Sequence, residues 1–321
     1  MLIFASDFHV EKGIFISIAL DFLDYLIQFS QENNIKNLVI GGDIFEKATK
    51  IHNEAFTSLF MKFLEMKKLG LKLYFILGNH DIWGLDNNDS IVETFSPFGE
   101  VIKDSCTMEL DGDYYDLLSY TKDKTKLPNK SNTLLTHLAI TDFCFDNEFL
   151  NTDDGFAPSD FSNYKLVVSG HFHRHQEKGN IVYAGSPYEK NFGEEGQEKG
   201  FIVIDGSDYK FIPYINAPTH LTINIEDFDK YDYKNKFVSV KINKKTENFV
   251  KLRHILYGKG ALEVRPQFIQ NEDDNKLIDI KVDSIGSITT IIKQYLNELK
   301  LENIDNKKLI SKFETIVSEV S

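Results

Sequence analysis

The sequence predicts an α/β fold in which strands are covered by helices, and two observations support this prediction. Short apolar runs alternate with segments of helical periodicity in the first part of the chain, and strand-like runs become more frequent after it. The chain has 321 residues, 42% of them hydrophobic, so it can form one large domain with a sizeable core and a smaller one. Its charged fraction of 26% is ordinary, which argues against disorder.

The first predicted elements follow one another in the order β-α-β-α-β. They are strands at residues 2–5, 37–40 and 71–77 and helices at residues 16–29 and 54–68. Five more strand-like runs lie at residues 133–136, 166–169, 181–184, 201–205 and 209–214. Together these elements predict a layered α/β sandwich with two sheets, whose strand order the sequence does not specify.

A domain boundary is predicted near residues 216–219, because the charge balance changes after Asn216-Ala217-Pro218-Thr219. Nine basic residues stand against two acidic ones between Lys234 and Arg265. Two interpretations of this charge stay open with equal weight: an ordinary solvated surface, or a patch that faces DNA. The part of the chain after this boundary is predicted to be a small α+β module, with a helix at residues 248–256 and strand-like runs at residues 237–242, 262–268 and 277–282.

The C-terminal segment is predicted to be helical. Apolar residues recur with helical spacing from Ile288 to Leu299, and a second short helix is predicted from Leu309 to Val317. Two amphipathic helices at this place either fold back on their own domain or dock on a partner. We therefore divide the chain into a domain at residues 1–215, a basic module at residues 216–283 and a helical segment at residues 284–321.

The net charge and the two cysteines constrain the class of protein. A formal net charge of −13 tells against a simple nucleic-acid binder and suits an enzyme whose bound cations offset the charge locally. Cys106 and Cys144 have no metal-ligand spacing, so we expect two free thiols in a reducing compartment. The short N-terminal apolar run has no basic residues before it, and no stretch approaches about 18 apolar residues. We therefore expect a cytoplasmic protein without a signal peptide or a membrane span.

Residues able to bind metals follow the first two predicted strands. Asp7-Phe8-His9 comes after the first strand, and Gly41-Gly42-Asp43 comes after the second. A carboxylate and an imidazole two residues apart can reach one cation if the loop curls, and Asp43 can bridge two ions. Alone, each motif has an ordinary explanation, since Asp-x-His rarely binds a metal and a Gly-Asp pair is more often a turn.

Three later motifs extend this pattern. Asn79 in Gly78-Asn79-His80-Asp81 offers an amide oxygen, and His80 can face a substrate. His137 closes a strand, where a lone histidine is usually structural, while Gly170-His171-Phe172-His173 suits two adjacent ions. Imidazoles, carboxylates and one amide suit Mn²⁺, Fe or Zn²⁺ rather than Ca²⁺. Jointly, the motifs predict a two-metal site of the kind that cleaves phosphate esters.

In this order the motifs resemble those of the calcineurin-like metallophosphoesterase superfamily. The resemblance implies a four-layer α-β-β-α sandwich and two divalent ions, with Mn²⁺ the expected metal. It implies that His80 is a catalytic group that does not bind metal, and that Asp43 bridges the ions. One ion would be held by Asp7, His9, Asp43 and His173, and the other by Asp43, Asn79, His137 and His171. The superfamily often has Asp or His where this chain has Glu46.

A later segment resembles SbcD-type DNA repair nucleases, including phage recombination nucleases. Its motifs are Tyr183-Ala184-Gly185-Ser186-Pro187-Tyr188, Phe192-Gly193-Glu194 and Lys199-Gly200-Phe201. The resemblance implies a Mn-dependent DNA exo/endonuclease subunit of an SbcCD-type complex for recombination and double-strand-break repair. Residues 216–283 would be a small cap that helps to hold DNA, and the C-terminal helices would bind an SMC-like coiled-coil ATPase of the SbcC type. The resemblance also implies a homodimer in a bacterial or phage-infected host cytoplasm.

Alternative functions remain open from the sequence. A small-molecule phosphodiesterase or phosphoprotein phosphatase of the same superfamily is favoured by the negative net charge. A binding subunit with a decayed metal site is a further alternative, against which the intact motifs argue. The apolar side chains of the predicted helix at residues 54–68 could form a dimer interface or pack in the core: Phe56, Leu59, Phe60, Phe63 and Leu64.

Overall fold

The computed structural model describes residues 1–83, 89–145, 155–242 and 249–268. The α-helices of this part of the chain are α1 (Ile14–Asn33), α2 (Asn53–Lys68) and α3 (Phe249–Gly258). The strands are β1 (Leu2–Ala5), β2 (Asn37–Ile40), β3 (Lys72–Ile76), β4 (Ile82–Trp83), β5 (Asp89–Ser90), β6 (Gly99–Ile102), β7 (Ser105–Leu110), β8 (Asp113–Leu118), β9 (Thr133–His137), β10 (Leu166–Gly170), β11 (Gln176–Lys178), β12 (Ile181–Tyr183), β13 (Gly200–Asp205), β14 (Asp208–Pro213), β15 (Thr219–Asn224), β16 (Lys236–Ile242) and β17 (Glu263–Phe268).

The first large sheet has the strand order β14-β13-β1-β2-β3-β6. Strands β1, β2, β3 and β6 are parallel, and β13 and β14 join antiparallel. Side chains alternate across this sheet. Ile3 and Leu38 point into the core beneath α1 and α2, whereas Phe4 and Val39 point into the core between the sheets. Both faces are buried, which explains why these strands read as continuous apolar runs.

The second large sheet has the strand order β11-β12-β10-β9-β8-β7. Leu135 and Val168 face the first sheet, while Leu134 and Val167 face an outer core. A short 3₁₀ helix, Pro158–Phe161, contributes to that outer core in the described part of the chain. Helices, two sheets and this outer layer make a four-layer arrangement, so the predicted sandwich is confirmed.

A small third sheet, β15-β16-β17, follows the sandwich along the chain. Helix α3 precedes β17, and its Leu256 is fully buried. The described residues up to Val240 and from Phe249 to Pro266 belong to one compact unit. The domain limits at 215/216 and 283/284 stay predictions. The predicted strand at 277–282 and the predicted helices at 288–299 and 309–317 lie outside the described residues.

Helices α1 and α2 are core helices of the first layer. Helix α1 is, by length and composition only, long and apolar enough to cross a membrane, yet its Phe22, Leu23 and Leu26 are buried against the first sheet. In α2, Leu59 and Phe63 are buried, and the other apolar residues predicted for a dimer interface pack against the same core. Core packing therefore accounts for this apolar face. In the described part of the chain both cysteines are free thiols, as expected.

Candidate metal centre

The loops after five parallel strands converge at one edge of the sandwich. Strands β1, β2 and β3 of the first sheet lead to Asp7, Asp43 and Asn79, and strands β9 and β10 of the second sheet end at His137 and Gly170. Backbone bonds join neighbouring loops: Asp7 N–H donates to Gly42 O at 3.0 Å, and His9 N–H donates to Asp43 O at 2.9 Å. The carboxyl ends of parallel strands thus bring together residues far apart in the sequence.

Four of the predicted ligands have left-handed backbone conformations. The φ angles are 60° at Asp7, 44° at His9, 53° at Asp43 and 96° at His171. Non-glycine residues in this region carry a cost of about 1–3 kcal/mol each, and they cluster at functional sites. The strained backbone therefore indicates that the direction of the side chains, and not the backbone preference of each residue, determines the shape of these loops.

Two glycines allow the loops to approach closely. A Cβ atom on Gly78 would lie 2.1 Å from Asp43 Oδ1, and a Cβ atom on Gly42 would lie 2.5 Å from His137 Nδ1. Gly42 also has a φ of +98°, which side chains disfavour. These positions need glycine because the side chains of Asp43 and His137 occupy the space.

The predicted ligands form two adjacent clusters. Asp7, His9 and His173 make the first, and Asp43, His137 and His171 make the second, with the ligand atoms of each cluster within 4.8 Å of one another. In the first cluster His9 Nε2 and His173 Nε2 are 3.0 Å apart. In the second, His137 Nε2 lies 3.2 Å from Asp43 Oδ2.

Asp43 and Asn79 complete this arrangement. Asp43 Oδ2 also lies 3.4 Å from His9 Nε2, so this one oxygen touches both clusters. Asn79 Oδ1 lies 2.8 Å from His171 Nδ1. The structure therefore brings all seven predicted ligands together, and their assignment as ligands remains a prediction.

His80 lies beside the same centre. Its Nδ1 is 2.5 Å from the carbonyl oxygen of Glu46, and its amide donates to Asp43 Oδ1 at 2.8 Å. Because a carbonyl only accepts, Nδ1 carries the hydrogen and Nε2 remains for the cleft. A nitrogen of His80 is also within 4.8 Å of ligand atoms of His9 and Asp43, so distance alone does not separate it from the ligands.

The donor set fits divalent cations. His137 Nδ1 lies 2.7 Å from Gly41 O, and its buried Nε2, although 3.2 Å from Asp43 Oδ2, makes no hydrogen bond within the described residues. Burial would lower the pKa of His137, but the Asp43 carboxylate outweighs this effect and raises it to about 9, so positive charge is favoured at this point. Burial lowers the pKa of His171 to about 4 and keeps that imidazole neutral, as metal binding requires.

A family model described as calcineurin-like phosphoesterase matches residues 2–175, which is more than half of the chain and includes every predicted ligand. The chain belongs to this family.

The phosphoesterase is also similar to several individual proteins. It is 24% identical to exonuclease subunit 1 of Enterobacteria phage T4, over 91% of this chain and 90% of that protein. Among solved structures, the Yfce phosphoesterase of E. coli is 15% identical, with 68% of this chain and 95% of that one covered and a TM-score of 0.37. The Pseudomonas putida nuclease MPE is 14% identical, with 63% and 84% covered and a TM-score of 0.34.

Acidic residues behind the ligands of this phosphoesterase were not predicted as part of the site. Asp81 is fully buried and accepts from the backbone N–H of Asp43 at 2.7 Å. Glu46 Oε2 lies 3.4 Å from His9 Nδ1, and Glu194 Oε1 lies 2.8 Å from His173 Nδ1. Two of these acidic residues stand in motifs that the sequence shows, since Asp81 ends Gly-Asn-His-Asp and Glu194 ends Phe-Gly-Glu. Such outer carboxylates orient metal-binding histidines in other proteins.

A cleft of about 440 Å³ opens over the phosphoesterase centre. Lys190 supplies a cation to it, with Nζ donating to His9 O at 2.5 Å and lying 4.3 Å from the centre of the Phe15 ring. The cleft is lined by His9, Glu11, Phe15, Asp43, Glu46, Asn79, His80, Phe145, His171, His173, Lys190 and Asn191. A phosphate group placed here would meet the histidines of both clusters and a lysine.

Proposed function

We propose that this chain is the nuclease subunit of a DNA-processing complex and that it hydrolyses DNA phosphodiester bonds with two divalent ions. The observation that carries this proposal is the alignment with the phage exonuclease subunit over 91% of this chain, well beyond the residues that match the family model. The converging histidines and carboxylates support phosphate ester hydrolysis as the chemistry.

The proposed ions divide the seven side chains into two sets that share Asp43. Asp7, His9 and His173 would hold one ion with Asp43, while Asn79, His137 and His171 would hold the other with it. Mn²⁺ is the proposed metal because of the resemblance to SbcD-type nucleases, and the nitrogen and oxygen donors suit Mn²⁺, Fe or Zn²⁺ alike. When bound, two such cations neutralise charge on the phosphate and lower the pKa of water beside it.

The chain's own residues would orient the phosphate and supply a proton to the departing oxygen. His80 places Nε2 toward the cleft, because Glu46 O engages Nδ1. As the imidazolium, with hydrogens on both ring nitrogens, it would stabilise the negative charge that develops on the phosphoryl oxygens or give the Nε2 proton to the departing oxygen. Lys190 adds a positive charge at the wall of the cleft and helps to hold an anionic backbone.

The proposed partners are supported by the similarity to a phage exonuclease subunit and by the helical periodicity of residues 284–321. We propose an SMC-like coiled-coil ATPase of the SbcC type, bound by the amphipathic segments of residues 284–321, and a homodimeric nuclease in the cytoplasm. The basic residues between Lys234 and Arg265 are proposed to face DNA, which would offset the net charge of −13 locally.

A second candidate is a small-molecule phosphodiesterase or a phosphoprotein phosphatase, because the overall charge of −13 repels nucleic acid. Cleavage of linear duplex DNA, bis(p-nitrophenyl) phosphate and p-nitrophenyl phosphate should be compared in Mn²⁺, with the Asp43→Asn variant as the inactive control. The nuclease proposal expects cleavage of the DNA, lost in that variant. Cleavage of a small substrate alone, tested with and without the ATPase, would favour the second candidate.

A further inference from the structure

A buried lysine and a buried glutamate lie directly behind His173, and neither is a predicted ligand. Glu194 is fully buried, and Lys199 is only 6% exposed. Lys199 Nζ donates to Glu194 Oε2 at 2.7 Å, and Glu194 Oε1 lies 2.8 Å from His173 Nδ1. The three side chains therefore form a continuous chain that ends on the ring nitrogen opposite the one that faces His9.

Lys199 also fixes the backbone of His173. Its Nζ donates to His173 O at 2.8 Å and to Ser186 Oγ at 2.9 Å. The amide of Ser186 donates to the same His173 carbonyl at 3.0 Å. Both the ring and the carbonyl of His173 are thus held by groups from one later segment of the chain, residues 186–199.

Stability alone is a weak explanation for this buried pair. Removing an ammonium and a carboxylate from water is costly, and replacing such pairs by apolar residues of similar volume is often neutral or stabilising. The contacts also determine which ring nitrogen of His173 carries the hydrogen. A carboxylate only accepts, so it places the hydrogen of His173 on Nδ1 and leaves a lone pair on Nε2, which lies 3.0 Å from His9 Nε2.

We propose that Lys199 and Glu194 are positioning residues that hold His173 in the tautomer and orientation needed to bind a divalent cation. The inference rests on the proposed function, in which His173 is a ligand. Outer partners of this kind typically change metal affinity by roughly 10–100-fold. The inference also gives a role to the Gly-Ser-Pro, Phe-Gly-Glu and Lys-Gly-Phe motifs, which build the wall behind His173.

The test is Mn²⁺ titration calorimetry on the full chain, stripped of metal, as wild type and as the Glu194→Gln, Lys199→Met and double variants. In Glu194→Gln, Lys199 attracts the amide oxygen, so the NH₂ group faces His173 Nδ1 and favours the wrong tautomer. We expect the affinity for one ion to fall roughly 10–100-fold while the affinity for the other is kept. The double variant should lose no more Mn²⁺ affinity than the weaker-binding single variant, because both residues act through the His173 ring.

A matched control is Lys62→Met, which removes an equally close ammonium–carboxylate contact, 2.7 Å to Asp24, on the surface of the first layer. It should leave both Mn²⁺ affinities unchanged. Thermal unfolding of the metal-free variants separates a structural role. If the melting temperature fell in Glu194→Gln and Lys199→Met while both affinities stayed at wild-type values, the inference would be wrong.

The same titration distinguishes the inference from the proposed function. A wild-type chain that bound fewer than two ions would refute the two-metal proposal and the inference with it. A wild-type chain that bound two ions, with variants that bound them equally well, would refute the inference alone. Because Gln has nearly the size of Glu, Glu194→Gln decides the matter even if Lys199→Met fails to fold.

Discussion

Replacing Asp81 with Ala tests how the loops of the metal centre are held together. Asp81 is fully buried, and its Oδ2 accepts from the backbone N–H of Asp43 at 2.7 Å and of Gly78 at 3.0 Å. Its Oδ1 accepts from Ile44 at 3.0 Å and, more weakly, from Phe45 at 3.4 Å. One side chain therefore ties the loop after β2 to the loop after β3.

The expected loss follows from these contacts. Asp81→Ala leaves three close N–H donors without their acceptor, and a buried unsatisfied donor costs about 1–3 kcal/mol. Because the loops can relax, we expect the lower half of the resulting range, a fall of about 3–6 kcal/mol in the free energy of unfolding. Asp81→Asn keeps one acceptor oxygen but turns an NH₂ group toward N–H donors, so we expect about half of that loss.

Urea unfolding of the chelator-treated chain, followed by circular dichroism, measures this difference. Asp24→Ala is the control, since it removes an exposed carboxylate whose ion pair with Lys62 is worth about 0–1 kcal/mol. If Asp81→Ala unfolded within about 1 kcal/mol of the Asp24→Ala control, the assignment of these hydrogen bonds as the tie between the loops would be wrong.

Four other substitutions probe the centre directly. His80→Asn should keep both ions, measured by metal analysis, while kcat for DNA falls by roughly 10²–10⁴-fold, and a wild-type rate would refute its catalytic role. Asp43→Asn should weaken the binding of both ions and His171→Ala that of one, because Asp43 Oδ2 lies 3.4 Å from His9 Nε2 in one cluster and 3.2 Å from His137 Nε2 in the other; calorimetry that showed the affinity for one ion unchanged in Asp43→Asn would contradict the shared position. Gly78→Ala should displace the Asp43 carboxylate, since the new Cβ would lie 2.1 Å from Oδ1, and Mn²⁺ affinity at the wild-type value would contradict this.

The convergence of the seven predicted ligands could be predicted because each motif follows a strand. The structure places β1, β2 and β3 in one parallel array and β9 and β10 in another, so their following loops meet at one edge. Strand order was not needed for this step. The spacing of His171 and His173 indicated two adjacent ions, but which imidazole lies in which cluster came from the family resemblance and not from the spacing.

The hairpin of β7 and β8 was not predicted, and its chemistry explains why. Asp116 lies in the middle of β8 and is fully buried, where a strand pattern leads one to expect an apolar residue. Its carboxylate accepts from Thr107 on the neighbouring strand at 2.6 Å and from the amide of Lys130 at 2.9 Å. A buried carboxylate satisfied by contacts distant in sequence interrupts the apolar pattern without interrupting the strand.

The residues that support the predicted ligands could not be predicted for a similar reason, because their contacts join positions that are distant in the sequence. A motif is local, whereas the contact made by a supporting residue is not: Glu194 is 21 positions from His173, and Asp81, although it ends the Gly-Asn-His-Asp motif, is 38 positions from Asp43. The ligand loops have strained left-handed backbones, which persist only when surrounding contacts fix them. Asp81 supplies such contacts through backbone amides, and the Lys199–Glu194 pair supplies them through a ring nitrogen and a carbonyl. The buried carboxylates that are not predicted ligands are therefore as necessary for the geometry of this site as those predicted to bind a metal.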